Sequence, residues 1–173
     1  VIDSKQIFAG QGLLAAHTLK LIGQKVSKNA LRHEVETFTD KIYTCVIPRD
    51  LHYIRERARR RGDKSVSAVS AFLGKALNII PVIFGQGVEG KPVAKTRNFD
   101  MAVEKVMNYA VARVEAGLLT PYVSLSCGLS WTEIEDLPGL NRLRDACEQN
   151  GVELLLSQMG ITSAIYVGPG SIC

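Results

Sequence analysis

What this chain lacks narrows it first. It has no apolar run long enough to span a membrane, so no transmembrane helix is expected. Its four cysteines, Cys45, Cys127, Cys147 and Cys173, form no Cys-x-x-Cys pair. No histidine lies close enough in sequence to complete a zinc set, so no metal is expected. The thiols read as small buried hydrophobes in a reducing, cytoplasmic compartment. The start, Val1-Ile2-Asp3-Ser4-Lys5, has neither an initiator Met nor a basic-then-apolar leader. It reads as a strand entered midway.

What is present is ordinary globular material: 46% hydrophobic and 22% charged residues with a net charge of +4. The charge is uneven. Arg55, Arg57, Arg59, Arg60, Arg61 and Lys64 crowd together, opposed by Glu56 and Asp63. They form either a solvated helix face or a patch for an anionic group or acidic partner, with Arg59, Arg60 and Arg61 at its centre. Tyr53 is the only aromatic beside them, and no nucleic-acid-binding motif accompanies them, so nucleic acid is not an expected partner.

Periodicity predicts alternating elements. Ala15, Leu19, Ile22 and Val26 have helical spacing, and Ser27 can cap a second helix striped by Leu31, Val35, Phe38 and Ile42. A strand over 43–47 stops at Pro48. A helix follows on Leu51, Ile54 and Ala58, then another on Val66, Val69, Leu73, Ala76 and Leu77 with Ser65 as cap. Residues 79–84 and 91–96 form a hairpin around a glycine-rich turn. Its Gly85-x-Gly87-x-x-Gly90 pattern opens a strand rather than a helix, so no helix N-terminus awaits a pyrophosphate there. Gly10-x-Gly12 lacks a third glycine and the acidic residue. Asn98 caps a helix carrying Phe99, Val103, Val106, Ala110 and Val114, and 122–127 is a strand. Ser130-x-x-Glu133 is a capping box, a helix ends at Asn150-Gly151, and 152–157 is a strand. Residues 161–166 lead into Gly168-Pro169-Gly170, a rigid turn. This order predicts an α/β fold: part of a parallel α/β lobe over 1–80, then a second lobe over 81–173 with a mixed or antiparallel sheet flanked by helices.

No catalytic constellation stands out. The carboxylates lie mostly on helix faces, and Ser124 and Ser126 point to opposite faces of one strand, outside any Gly-x-Ser-x-Gly elbow. The residues alone reach a soluble α/β protein with a possible anionic ligand.

The order of motifs goes further. Asp3-Ser4-Lys5 with Gly10-Gln11-Gly12, Leu51-His52-Tyr53-Ile54, Leu73-Gly74 with Leu77-Asn78-Ile79-Ile80-Pro81-Val82, Lys95-Thr96-Arg97 and Val167-Gly168-Pro169-Gly170 together resemble the DegV family over the whole chain. The resemblance implies a two-lobe protein that binds a long-chain fatty acid, such as palmitate or oleate, between its lobes. It also implies a carrier rather than an enzyme, with no cofactor, presenting the acyl carboxylate to a separate fatty acid kinase. A hydrolase or transferase acting on an acyl or phosphorylated molecule in the same cleft is the alternative.

By the same resemblance the chain is a C-terminal portion, because the family's carboxylate-holding Ser/Thr residues lie upstream of Asp-Ser-Lys. The family's Gly-Gly-Arg loop is replaced by Arg61-Gly62-Asp63-Lys64-Ser65-Val66-Ser67, with Ser65 in the arginine's place. Tyr166 stands where the family has His, and a phenol does not titrate near neutrality. The expected ligand contacts are Lys64, Ser65, Ser67, Tyr166, Gly168, Pro169 and Gly170, with apolar lining from the helix over 66–77.

Overall fold

The computed structural model describes residues 2–61, 79–86 and 89–173. Helices α1 (Ala9–Gly23) and α2 (Lys28–Thr39) precede strand β1 (Tyr43–Val46) and helix α3 (Leu51–Arg61). The hairpin β2 (Ile80–Gln86) and β3 (Glu89–Thr96) follows. Then come α4 (Phe99–Glu115), β4 (Tyr122–Cys127), α5 (Trp131–Glu135), α6 (Leu140–Gln149), β5 (Glu153–Gln158) and α7 (Ile161–Val167). The expected helix over 66–77, with Lys64, Ser65 and Ser67, lies outside the described residues.

Polar side chains start the helices as expected. Ser27 Oγ accepts from the Ala30 amide at 3.4 Å, and Asn98 Oδ1 accepts from the Met101 amide at 2.9 Å. At Ser130 the box is reciprocal: its Oγ accepts from the Glu133 amide, and its own amide donates to Glu133 Oε2 at 2.8 Å. Each such cap satisfies a donor that the helix itself leaves unpaired.

Two expectations need correction. Residues 2–7 form no regular element, and no described strand lies beside Ile2 to take its main-chain bonds. In α1 the predicted stripe faces outward, with Leu19 68% and Ile22 52% exposed, while Leu14 packs with Val35, Phe38 and Ile42. This helix is apolar around its whole circumference, so spacing could not choose its buried face. On the same helix His17 lies against the Phe38 ring at 4.1 Å between centroids.

The architecture is mixed α/β. The antiparallel sheet has the order β1–β2–β3, and β4 pairs with β5 in parallel. The first ladder crosses the position of the expected lobe division, since Tyr43 to Val46 lie opposite Gln86 to Ile83.

A short terminal segment joins the sheets. Ile172 exchanges two main-chain hydrogen bonds with Ile47, at 2.8 and 3.0 Å. Cys173 exchanges two with Ser126, at 2.8 and 2.9 Å. The Gly128 amide donates to Ser171 O and the Gly170 amide to Gly128 O. The segment bridges both Ile47 and Cys127 in antiparallel sense. The ends of β1 and β4 therefore run parallel to each other, with their starts on the same side.

The glycine turn lets this seam close. Gly168 has φ 92°, and a Cβ there would sit 3.0 Å from Tyr53 Cδ1. Helix α4 covers the sheets: Ala102, Val103 and Met107 join Ile47, Val82, Leu125, Ile134, Leu140, Leu143 and Ile172 in the main core. Ile172 is 1% exposed.

Truncating Ile172 to Ala should cost about 2–5 kcal/mol of stability, the range for deleting a buried branched side chain. Chemical denaturation of the full-length protein would measure it. A loss below about 1 kcal/mol, within reach of a surface substitution, would show that the seam's side chain is dispensable.

Candidate functional site

The parallel starts of β1 and β4, roofed by α1 and α4, leave a space between them. Gly10 of α1 sets the roof's height over β1. A Cβ there would lie 3.1 Å from Thr44 Cγ2 on β1 and 2.6 Å from Gln6 Oε1. Gln6 is buried and donates to Thr39 O, so it is held in place. A Cβ on Gly12 would lie 3.6 Å from Ser124 Oγ on β4, an ordinary contact. Of the two glycines, Gly10 therefore serves close helix–strand approach.

The result is a cavity of about 420 Å³. Gly10 and Leu13 of α1, Cys45 of β1, Ala110 of α4, and Val123 and Leu125 of β4 are among the residues that wall it. Cys173 of the seam closes one end. The α4–β4 connection, Gly117 to Thr120, borders the other. Four residues of β4, Tyr122 to Leu125, line it, roughly 13 Å of strand.

The cavity's thiols are not nucleophiles at neutral pH. Burial pushes Cys45 up to about 11 and Cys173 to about 12. Cys127, behind the seam, rises to about 12 through burial and then through Cys173 beside it. Among the described residues, no group of three or more His, Cys, Asp or Glu could hold a metal ion.

The residues expected at the ligand gather elsewhere. Tyr166 is on α7, with its ring edge-on to Phe8 at 6.3 Å and the Arg57 guanidinium over it at 4.0 Å. Tyr53 donates its hydroxyl to Ile165 O at 2.8 Å, tying α3 to α7. Gly168 packs on Tyr53 and Gly170 on Arg49. Gly168-Pro169-Gly170 thus lies beside α3 and leads into the seam. None of these three residues, nor Tyr166, is among those lining the cavity.

Arg59 and Arg60 are exposed and pair with Glu56, at 2.7 and 3.3 Å. Arg61 is the last position of α3, and its side chain is outside what is described. Sequence reading placed Arg57 in the basic cluster but not over Tyr166, and it did not single out Phe8. Phe8 caps α1 at φ 51°, ψ −129°, a conformation rare for an aromatic residue and worth about 1–3 kcal/mol of strain.

The thiols give a pH prediction. A cysteine held protonated in the fold but ionising at its usual 9.0 when unfolded contributes stability that is complete below pH 9 and lost as pH rises towards 12. Cys127→Ser should therefore lose less stability than wild type between about pH 9 and about pH 11, measured by denaturant titration. Identical losses would contradict the burial assigned to this thiol.

Comparison with known proteins bears on this arrangement. The family described as "Uncharacterised protein, DegV family" matches residues 1–173. A DegV domain-containing protein of Xanthomonas axonopodis pv. citri is 40% identical over 172 residues, covering 99% of this chain and 55% of that protein. One from Xanthomonas campestris pv. campestris is 39% identical with the same coverage. The chain thus spans about half the length of these curated relatives.

The fold matches that of a stearic acid-binding protein from Eubacterium ventriosum, with TM-score 0.77 and 18% identity over 99% of this chain and 56% of that one. It also matches the fatty acid kinase B3 protein of Streptococcus pneumoniae, solved with linoleic acid. There the TM-score is 0.74 and the identity 15%, over 99% of this chain and 57% of that one. With the family model matching all of residues 1–173, this chain belongs to the DegV family.

Proposed function

We propose that the full-length protein binds a long-chain fatty acid, such as palmitate or oleate, and presents its carboxylate to a separate fatty acid kinase. The observation that carries this reading is the apolar cavity under α1 and α4. Its size falls within the roughly 300–1,000 Å³ of small-molecule pockets, and its walls are largely aliphatic and aromatic. Each methylene placed there contributes about 0.8 kcal/mol. Solved proteins of the same fold carry stearic and linoleic acid in their descriptions, and one is named for a fatty acid kinase.

The carrier reading is favoured over a hydrolase or transferase. The lining includes Ser124, but among the described residues no histidine lines the cavity to activate it, and burial raises the cavity thiols above their ordinary range. In this proposal the protein works in the cytoplasm without a cofactor. Its two lobes, with 1–80 the remainder of the first and 81–173 the second, are joined in this reading through the β1–β2 ladder.

Hydroxyl, amide or cationic donors are needed wherever the carboxylate rests, since an unpaired buried charge is very costly. Arg57 over Tyr166 favours the Gly168-Pro169-Gly170 side, together with Lys64, Ser65 and Ser67, as one such place. Arg59, Arg60 and Arg61 are proposed to dock an acidic surface of the kinase. Arg59→Glu with Arg60→Glu should abolish capture of that kinase while leaving lipid binding unchanged, and retained capture would remove this role.

The main test is direct. The purified full-length protein should release a fatty acid to mass spectrometry and bind oleate saturably. Filling the cavity by Ala110→Trp should weaken oleate at least about tenfold, or 1.4 kcal/mol, with the thermal melt retained as a check on folding. Absence of saturable binding in the wild type, or full affinity in the filled variant, would overturn the proposal.

A further inference from the structure

Helix α7 is held by little of its own. It is 7 residues long, has no side-chain cap at Gly160, and buries Val167 alone. Its C-terminal turn also lacks a donor. In a continuing helix the Ile165 carbonyl would accept from the amide four residues on, but that residue is Pro169, which has no N–H. Two hydroxyls from outside the helix serve this end instead. Tyr53 of α3 donates to Ile165 O at 2.8 Å, and Ser171 Oγ donates to Val167 O at 2.9 Å. Each satisfies a carbonyl that the helix itself leaves open.

Tyr53 is itself fixed before it fixes anything else. Asp50 Oδ1 accepts from the His52 and Tyr53 amides, at 2.7 and 3.2 Å, and so caps the start of α3. The Tyr53 ring then lies against Gly168, where φ is 92° and a Cβ would come within 3.0 Å of Tyr53 Cδ1. One helical turn along the same face of α3, the Arg57 guanidinium covers the Tyr166 ring at 4.0 Å. Two side chains of α3 therefore hold neighbouring residues of α7: one takes the Ile165 carbonyl, the other the Tyr166 ring.

The backbone of the turn that follows is already committed. The Gly168 amide donates to Ala164 O at 2.8 Å, the Gly170 amide donates to Gly128 O at 2.9 Å, and Pro169 has none to offer. An anion beside this turn must be met by side chains. Tyr166, 42% exposed, carries a hydroxyl there, and α3 sets its direction. On the fatty-acid reading above, with the carboxylate beside Gly168-Pro169-Gly170, we infer that Tyr53 is a positioning residue for the head group. It holds the Ile165 carbonyl and thereby aims the Tyr166 phenol, which donates to the carboxylate. A charged acceptor gains more from a well-aimed donor than a neutral one does.

The test uses the full-length protein and two ligands, oleate and the uncharged oleyl alcohol. Tyr53→Phe keeps the ring against Gly168 and removes only the hydroxyl. It should weaken oleate about fivefold, the effect of one hydrogen bond, and oleyl alcohol less than about twofold. Both ligands are compared within each variant, so a general loss of stability moves them alike. Tyr166→Phe should reduce the preference for oleate at least as far. Adding Tyr53→Phe to it should reduce that preference no further, because both act through one phenol. The NMR signal of an isotope-labelled carboxyl carbon in bound oleate should also move in Tyr53→Phe, which a merely structural role would not cause. Unchanged oleate affinity, an equal fall for both ligands, additive losses or an unmoved carboxyl signal overturns the role of Tyr53. So does a preference untouched by Tyr166→Phe. Each of these leaves fatty-acid binding by the wild type intact. If the wild type binds neither ligand, the fatty-acid reading and this inference fall together.

Discussion

The rest of the structure depends on a few main-chain hydrogen bonds made by Ser171, Ile172 and Cys173. Without them, the β1–β2–β3 sheet and the β4–β5 pair would be two ladders with open edges, each small for independent stability. The segment takes up the unpaired amides and carbonyls of Ile47, Ser126 and Gly128 and buries Ile172 between them. It also fixes direction. By opposing both strands it makes β1 and β4 run the same way.

The cavity follows from that geometry. Parallel strands joined at one end and roofed by two helices enclose a space that is closed where they join and open where they start. Gly10 lets α1 come down onto β1, and Gly12 faces Ser124 of β4. Val106, Met107 and Ala110 of α4 form the facing wall. The Gly168-Pro169-Gly170 turn is then a structural hinge into the seam, with Tyr53 and Arg49 packed against its glycines. The aromatic and arginine cluster around Tyr166 sits on the outer side of that hinge.

Much of the fold was legible because its signals are local. The caps at Ser27, Asn98 and Ser130, the hairpin, and the helix ending at Asn150-Gly151 all rest on side chains within four residues of the backbone they serve. What was hidden is long-range. Ser171 to Cys173 are too few for any period to show. The stack of Arg57 on Tyr166 joins residues 109 positions apart, α3 to α7. Helix α7 carries exposed Ile161 and Ile165, so no polar face marked it as a helix. The family resemblance pointed to the neighbourhood of Gly168-Pro169-Gly170 and to Tyr166. It did not point to the cavity between β1 and β4, whose lining residues share no motif and meet only through the strand directions.

The central claim, an acyl tail buried in the cavity between β1 and β4, can be tested by photo-crosslinking. A fatty acid carrying a diazirine at its terminal carbon would be bound to the full-length protein and irradiated, and the labelled residues mapped by mass spectrometry. The account predicts labels on Leu125, Cys45 and Cys173 that excess oleate suppresses. Suppressible labels confined to Tyr166 and Gly168–Gly170, with none on β4, would contradict it.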